Sequence, residues 1–201
     1  MHLLKLSPEN LKIMNKKKYI YWFSCVLLTI ALVAFDQFTK YIAVDKLKDN
    51  DPFVIFNGIF ELFYVENKGA AYGIFSGRTS LFVIITSLIL PLVIFEIYRI
   101  SKMIGMFGDK VNVCALRWLQ VDLFILIAGA VGNLIDRLIQ GYVVDFFYFK
   151  LIDFPVFNVA DCYITVASAV VIIICFFILK GKEVDYLFDS QKKWLVEDEC
   201  K

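Results

Sequence analysis

Only one histidine, His2, occurs in the chain, and it stands next to the N-terminus. With its single imidazole there, a Ser-His-Asp triad, a Cys-His pair or an HExxH zinc site would each lack an essential part. The five cysteines, Cys25, Cys114, Cys162, Cys175 and Cys200, show neither CxxC nor Cys/His spacing, so nothing marks a structural zinc or thiol redox site, and buried free thiols are expected. An excess of one charge is lacking too: 21 basic residues face 20 acidic ones, a net +1. That balance gives no general attraction to nucleic acid. No internal repeat or low-complexity tract stands out, and neither a metal nor a cofactor is called for.

What the chain has in excess is apolar surface. Sixty per cent of its residues are hydrophobic and its mean hydropathy is +0.70, more than a soluble core of this size can hide. A helix needs about 20 mostly apolar residues to cross about 30 Å of hydrocarbon. Four segments meet that need: Tyr19 to Phe35, Ser80 to Tyr98 with Pro91 inside it, Trp118 to Ile135, and Cys162 to Leu179. The expected fold is therefore an all-α membrane protein of four transmembrane helices. No small-x-small cleavage site follows the first apolar run, so it is expected to remain as a helix and not to be removed.

Lysine and arginine collect before the first segment, between the second and third, and after the fourth. Both termini are therefore expected on the cytoplasmic side. The expected organisation is an N-terminal extension over 1–18, a membrane domain over 19–180, and a cytoplasmic tail over 181–201. The region of about 52–79 is expected to carry a small β-sheet on the outer membrane surface. Phe53 to Phe56 and Ile59 to Val65 read as strands, joined through Asn57-Gly58 as a type I′ hairpin turn.

Polar residues gather at one depth. Asp36 and Lys40 close the first segment, Asn133, Asp136 and Arg137 close the third, Asn158 and Asp161 open the fourth, and Asp145 lies between the last two. Ionisable groups near lipid are costly and ordinarily face a cavity with partners. Ion pairing that merely ties helix ends together would account for some of them, but not for so many carboxylates beside so few bases. The small residues Ala128 to Gly132 let a neighbouring helix approach closely, and the aromatic stretch around Asp145 should raise its pKa through burial. Two close carboxylates sharing a proton offer a base and an acid together, enough for peptide hydrolysis. On the residues alone, Asp136 competes with Asp145 and Asp161 for a place in such a pair.

Four blocks in this order resemble the lipoprotein signal peptidase (signal peptidase II) family: Asp36-Gln37-Phe38-Thr39-Lys40, Glu66-Asn67-Lys68-Gly69-Ala70-Ala71-Tyr72-Gly73-Ile74-Phe75, Gly132-Asn133-Leu134-Ile135-Asp136-Arg137, and Val143-Val144-Asp145-Phe146 followed by Phe157-Asn158-Val159-Ala160-Asp161. The resemblance implies a monomeric aspartic endopeptidase of the bacterial inner membrane, acting on diacylglyceryl-modified prolipoproteins just before the lipidated cysteine. It implies Asp145 and Asp161 as the catalytic pair. Asp36, Lys40, Asn67, Gly132, Asn133, Arg137 and Asn158 would shape the site or hold substrate, with Asp136 as a structural partner of Arg137. Cys162 stands where relatives commonly carry a small residue such as serine.

Two rival readings exist. A small proton-coupled transporter should carry its carboxylates near the bilayer centre and show an inverted repeat, and neither feature is visible. An intramembrane protease of the GxGD kind needs that tetrapeptide, and the lone Gly108-Asp109 step lacks it.

Overall fold

The computed structural model describes residues 8–69, 79–179 and 181–188. Four helices among them are long and apolar enough to cross a membrane. Helix α1 spans Pro8–Leu47, α2 spans Thr79–Phe107, α3 spans Val113–Ile139, and α4 spans Val159–Ile173 before passing into a π-helical turn at Ile174–Ile178. The first three outrun at both ends the apolar segments that mark them in the sequence, and α4 starts three residues before its own. Backbone hydrogen bonding stays satisfied within a helix wherever lipid ends, so a helix stops at its caps and not at its last apolar residue. Pro91 sits inside α2 without ending it.

Helix α3 is the centre of the bundle and packs against α1, α2 and α4. Its approach to α4 depends on missing side chains. A Cβ on Gly129 would lie 2.6 Å from the Ala160 carbonyl oxygen and 2.8 Å from Ile164 Cγ1. The main apolar core joins Ile97, Ile100 and Met103 of α2 to Leu116, Leu119 and Leu123 of α3. Much of the outer helix surface is apolar and exposed, including Phe23, Leu88, Phe176 and Phe177, as lipid-facing surface must be.

Beyond the far end of α1 lies a three-stranded antiparallel sheet in the order β1-β2-β3, built from Phe53–Phe56, Phe60–Asn67 and Val143–Tyr148. The first two strands form the expected hairpin, but with a different turn. Of its central residues only Gly58 has a positive φ, +71°, and the Ile59 N–H donates to the Phe56 carbonyl at 3.0 Å. This is a type II pattern, not type I′. Because Phe56 pairs with Phe60, three residues make the connection, one more than a two-residue I′ loop allows.

The third strand brings the segment of Asp145 into the sheet, with Val65 opposite Asp145 and Asn67 opposite Val143. Val144, Phe146 and Val159 pack with Ala43 and Leu47 to seat the sheet on α1 and α4. Within the C-terminal tail lies a short helix, α5, at Lys182–Phe188, whose Tyr186 carbonyl accepts from Arg99 Nη2 of α2 at 2.5 Å. Of the cysteines, Cys25 is buried and Cys162 and Cys175 are partly so, while Cys114 is exposed, contrary to the expected burial. Cys200, His2 and the 70–75 part of the second block lie outside the described residues.

Candidate active site

Helix α4 begins with a reciprocal cap. The Asn158 side-chain oxygen accepts from the Asp161 N–H at 3.0 Å, and Asp161 Oδ2 accepts from the Asn158 N–H at 3.2 Å. This box satisfies two backbone donors that would otherwise be orphaned, and it fixes the Asp161 carboxyl at the positive end of the helix. Its other oxygen, Oδ1, accepts from Asn133 Nδ2 of α3 at 2.8 Å.

Asp145 is held from two sides. Its Oδ2 accepts from Asn67 Nδ2 on the neighbouring strand at 2.8 Å, and its Oδ1 accepts from Asn158 Nδ2 at 2.6 Å. The residue is only 1% exposed. Burial, and then the negative charge of Asp161, push its carboxyl up to about 7, while the amide hydrogen bonds from Asn67 and Asn158 pull the other way.

Three asparagines thus present amide N–H groups to the two carboxyls, and their orientation is enforced from behind. Lys40 Nζ donates to Asn133 Oδ1 at 2.9 Å, which turns the Asn133 amide nitrogen toward Asp161. Asn158 Nδ2 also contacts Asn133 Oδ1 at 3.1 Å. Asn67 Oδ1 accepts from the Gly69 N–H at 2.9 Å. An amide fixed at its oxygen cannot flip without losing that bond.

Lys40 is 3% exposed and bridges two carboxylates, Asp36 Oδ2 at 2.9 Å and Asp136 Oδ2 at 3.0 Å. Asp36 reaches on to α4, where its Oδ1 accepts from the Ala160 N–H at 2.9 Å. Asp136 accepts from Gln37 Nε2 at 2.9 Å and from the Val144 N–H of β3 at 3.2 Å. Gly132 lies beneath, since a Cβ there would meet Asp36 Oδ2 at 2.5 Å.

The expected pairing of Asp136 with Arg137 is therefore corrected: its cation is Lys40. Adjacent helical residues point about 100° apart, so Asp136 faces α1 while Arg137 faces α2, where its guanidinium lies 5.1 Å from the Phe82 ring centre. Arg137 Nη1 donates to the Asn133 carbonyl at 3.3 Å. Gln37 was not singled out from the sequence as a site residue, although it lies inside the first block. Its amide joins α1 to both Asp136 and the Gly132 carbonyl.

Asp145 and Asp161 line one cavity of about 570 Å³, together with Asn67, Arg137 and an otherwise apolar wall that includes Phe82 and Phe157. Asn133 and Asn158 support that wall, whereas Asp36, Lys40, Asp136 and Gly132 form the layer behind it. Asp136 is thus bound into an ion-pair network and is absent from the cavity lining.

The family model described as signal peptidase II (Peptidase_A8) matches residues 28–177. The chain belongs to the signal peptidase II family. It is 35% identical over 145 residues to the lipoprotein signal peptidase of Streptococcus thermophilus, covering 72% of this chain and 87% of that one. To its counterpart from Streptococcus pyogenes serotype M5 it is 35% identical over 161 residues, covering 80% and 95%. With the counterpart from Clostridioides difficile the figures are 33% over 155 residues, 77% and 93%. Two solved structures of bacterial membrane enzymes, at 2.3 and 1.9 Å resolution, superpose with TM-scores of 0.60. They share 35% and 34% identity, covering 75% and 77% of this chain and 85% and 94% of theirs. As a signal peptidase II family member with four apolar membrane helices, the chain is a membrane peptidase.

Proposed function

We propose that the protein is an aspartic endopeptidase that removes signal peptides from prolipoproteins, cutting before a diacylglyceryl-modified cysteine, with Asp145 and Asp161 as its catalytic pair. The observation that carries this reading is two carboxyl groups, Asp145 buried and Asp161 partly buried, lining one cavity, with both oxygens of each accepting hydrogen bonds. At neutral pH the pair holds one proton between its members, because burial and mutual repulsion oppose double ionisation. The ionised member takes a proton from a water molecule as that water attacks the scissile carbonyl. The protonated member donates to the carbonyl oxygen as charge develops there, and a proton then passes to the departing amine.

Asn67, Asn133 and Asn158 hold the carboxyl groups in register for this exchange. Arg137, with further N–H groups at the cavity wall, holds substrate backbone carbonyls. Lys40, Asp36 and Asp136 keep Asn133 turned toward Asp161. The basic flanks of the helices favour a topology with both termini in the cytoplasm and the catalytic pair near the outer leaflet, where a lipid-anchored precursor would reach it without leaving the membrane. The enzyme acts as a monomer.

The test is cleavage of a diacylglyceryl-modified precursor by the purified protein in lipid. Asp145→Asn and Asp161→Asn should each lower kcat by about a thousandfold or more, while Asp136→Asn keeps measurable turnover. Full activity in Asp145→Asn would move the pair to Asp136 and Asp161 and overturn the assignment.

A further inference from the structure

About a third of the way along α3, Asp122 is only 7% exposed, and its Oδ2 is, among the described residues, the one buried side-chain oxygen or nitrogen without a hydrogen-bond partner. It belongs to no part of the network around Asp145 and Asp161. Instead it lines a trough of about 670 Å³ between α3 and α4 whose walls are otherwise almost wholly apolar, among them Trp118, Val121 and Ile125 of α3 and Val170 and Ile174 of α4. A carboxyl group within a membrane helix ordinarily faces a cavity and has a partner there. The residue borders the cavity and no donor from this chain is described for Oδ2, which is itself covered, so a donor in a ligand would meet it through a turn of the carboxyl about its own bond.

The trough has a second property. Val166 lines both it and the cavity of Asp145 and Asp161, so the two spaces adjoin. Along α4, Cys162 and Val166 border the upper cavity, and Val166, Val170, Ile174 and Ile178 border the trough. Their spacing of four makes one stripe running down the helix. An apolar helical segment leaving the catalytic pair would find a continuous path toward the opposite end of the bundle.

We propose that this trough seats the apolar segment of the substrate's signal peptide, and that Asp122 receives the basic side chain preceding that segment. The inference rests on the signal-peptidase reading above and adds a site to it. Signal peptides place a positively charged region before an apolar stretch of about 7–15 residues, which as a helix spans about 10–22 Å. Asp122 lies about 16 Å along α3 from Asn133, whose amide holds Asp161. A peptide bond at the catalytic pair thus brings the start of the apolar stretch to the depth of Asp122. A lysine or arginine supplies both the missing donor and the opposite charge, and its long apolar stem lets the head reach from a neighbouring depth.

The experiment uses the full chain in lipid and two diacylglyceryl-modified precursors, one with its natural lysines before the apolar stretch and one with those lysines replaced by glutamine. On the lysine precursor, Asp122→Asn should raise KM about tenfold, with kcat unchanged. On the glutamine precursor, wild type and Asp122→Asn should have the same KM. Val170→Phe, which narrows the trough away from the catalytic pair, should raise KM for both. Equal KM of wild type and Asp122→Asn on the lysine precursor, or equal losses on the two precursors, would overturn the role of Asp122. An unchanged KM in Val170→Phe would overturn the trough as the seat. Wild-type protein that cleaves neither precursor would overturn the functional reading and this inference with it.

Discussion

The pKa of Asp145 links chemistry to stability. Its carboxyl is raised from the ordinary value of 3.8 to about 7, so the folded state holds that proton more tightly than the unfolded chain does. The stability this contributes is fully present below about pH 4 and is lost as pH rises through about 7. That rise corresponds to a few kcal/mol at most. Thermal unfolding in detergent should therefore show wild type losing stability between pH 5 and 8, with Asp145→Asn losing much less. The variant should be inactive and, at pH 8, more stable than wild type. Lys40 presents the opposite case. Lys40→Met would leave Asp36 and Asp136 facing one another without their cation, a loss of about 3–5 kcal/mol, measurable as a lowered unfolding midpoint, and would free the Asn133 amide that Lys40 turns toward Asp161. The polar residues that meet in this network were legible in the sequence because each is anomalous where it stands. Their pairing was not, since Lys40 and Asp136 lie on different helices and nothing local to Asp136 shows that it faces α1 and not Arg137.

At the scale of elements, the close contact of α3 and α4 sets the position of Asp161. Gly129→Ala would drive a methyl group into the Ala160 carbonyl oxygen, a backbone atom that cannot rotate aside. The helices must separate, at a cost of about 1–3 kcal/mol, and the Asn133–Asp161 hydrogen bond must stretch. The expected result is a folded protein whose kcat falls more than its KM rises, read by steady-state cleavage beside a circular-dichroism check of helix content. The small-residue run around Gly129 announced this contact in the sequence, but strand β3 did not announce itself. Val143, Val144, Asp145 and Phe146 are buried on both faces, which erases the alternation that marks a half-buried strand. Its partner β2 lies far away in sequence as well. The overlong helices were missed for a related reason: Asp36 and Lys40 read as the end of an apolar run, whereas one turn apart they form a single polar face turned inward.

Across the whole molecule, the proposed catalytic pair, the sheet and the trough would together define how a substrate anchored in lipid lies. All four residues of β1 are exposed, and they are Phe53, Val54, Ile55 and Phe56. An exposed apolar strand at the end of a membrane bundle is explained by contact with the bilayer surface, where aromatic side chains partition well. On the proposed function, acyl chains on the substrate would remain in that same bilayer while the peptide enters the cavity, each buried CH₂ contributing about 0.8 kcal/mol to holding it there. Lipidation should therefore act on KM far more than on kcat, since it concentrates substrate at the catalytic pair without touching the reacting bond. Comparing lipidated and unlipidated forms of one precursor in bilayers should show kcat/KM lower by at least about a hundredfold for the unlipidated form, with most of the difference in KM. Phe53→Ser with Phe56→Ser should narrow that gap by weakening the lipidated reaction alone. Equal cleavage of the two forms by wild-type protein would mean that the peptide, and not its lipid, carries recognition, and the exposed strand would then need another explanation.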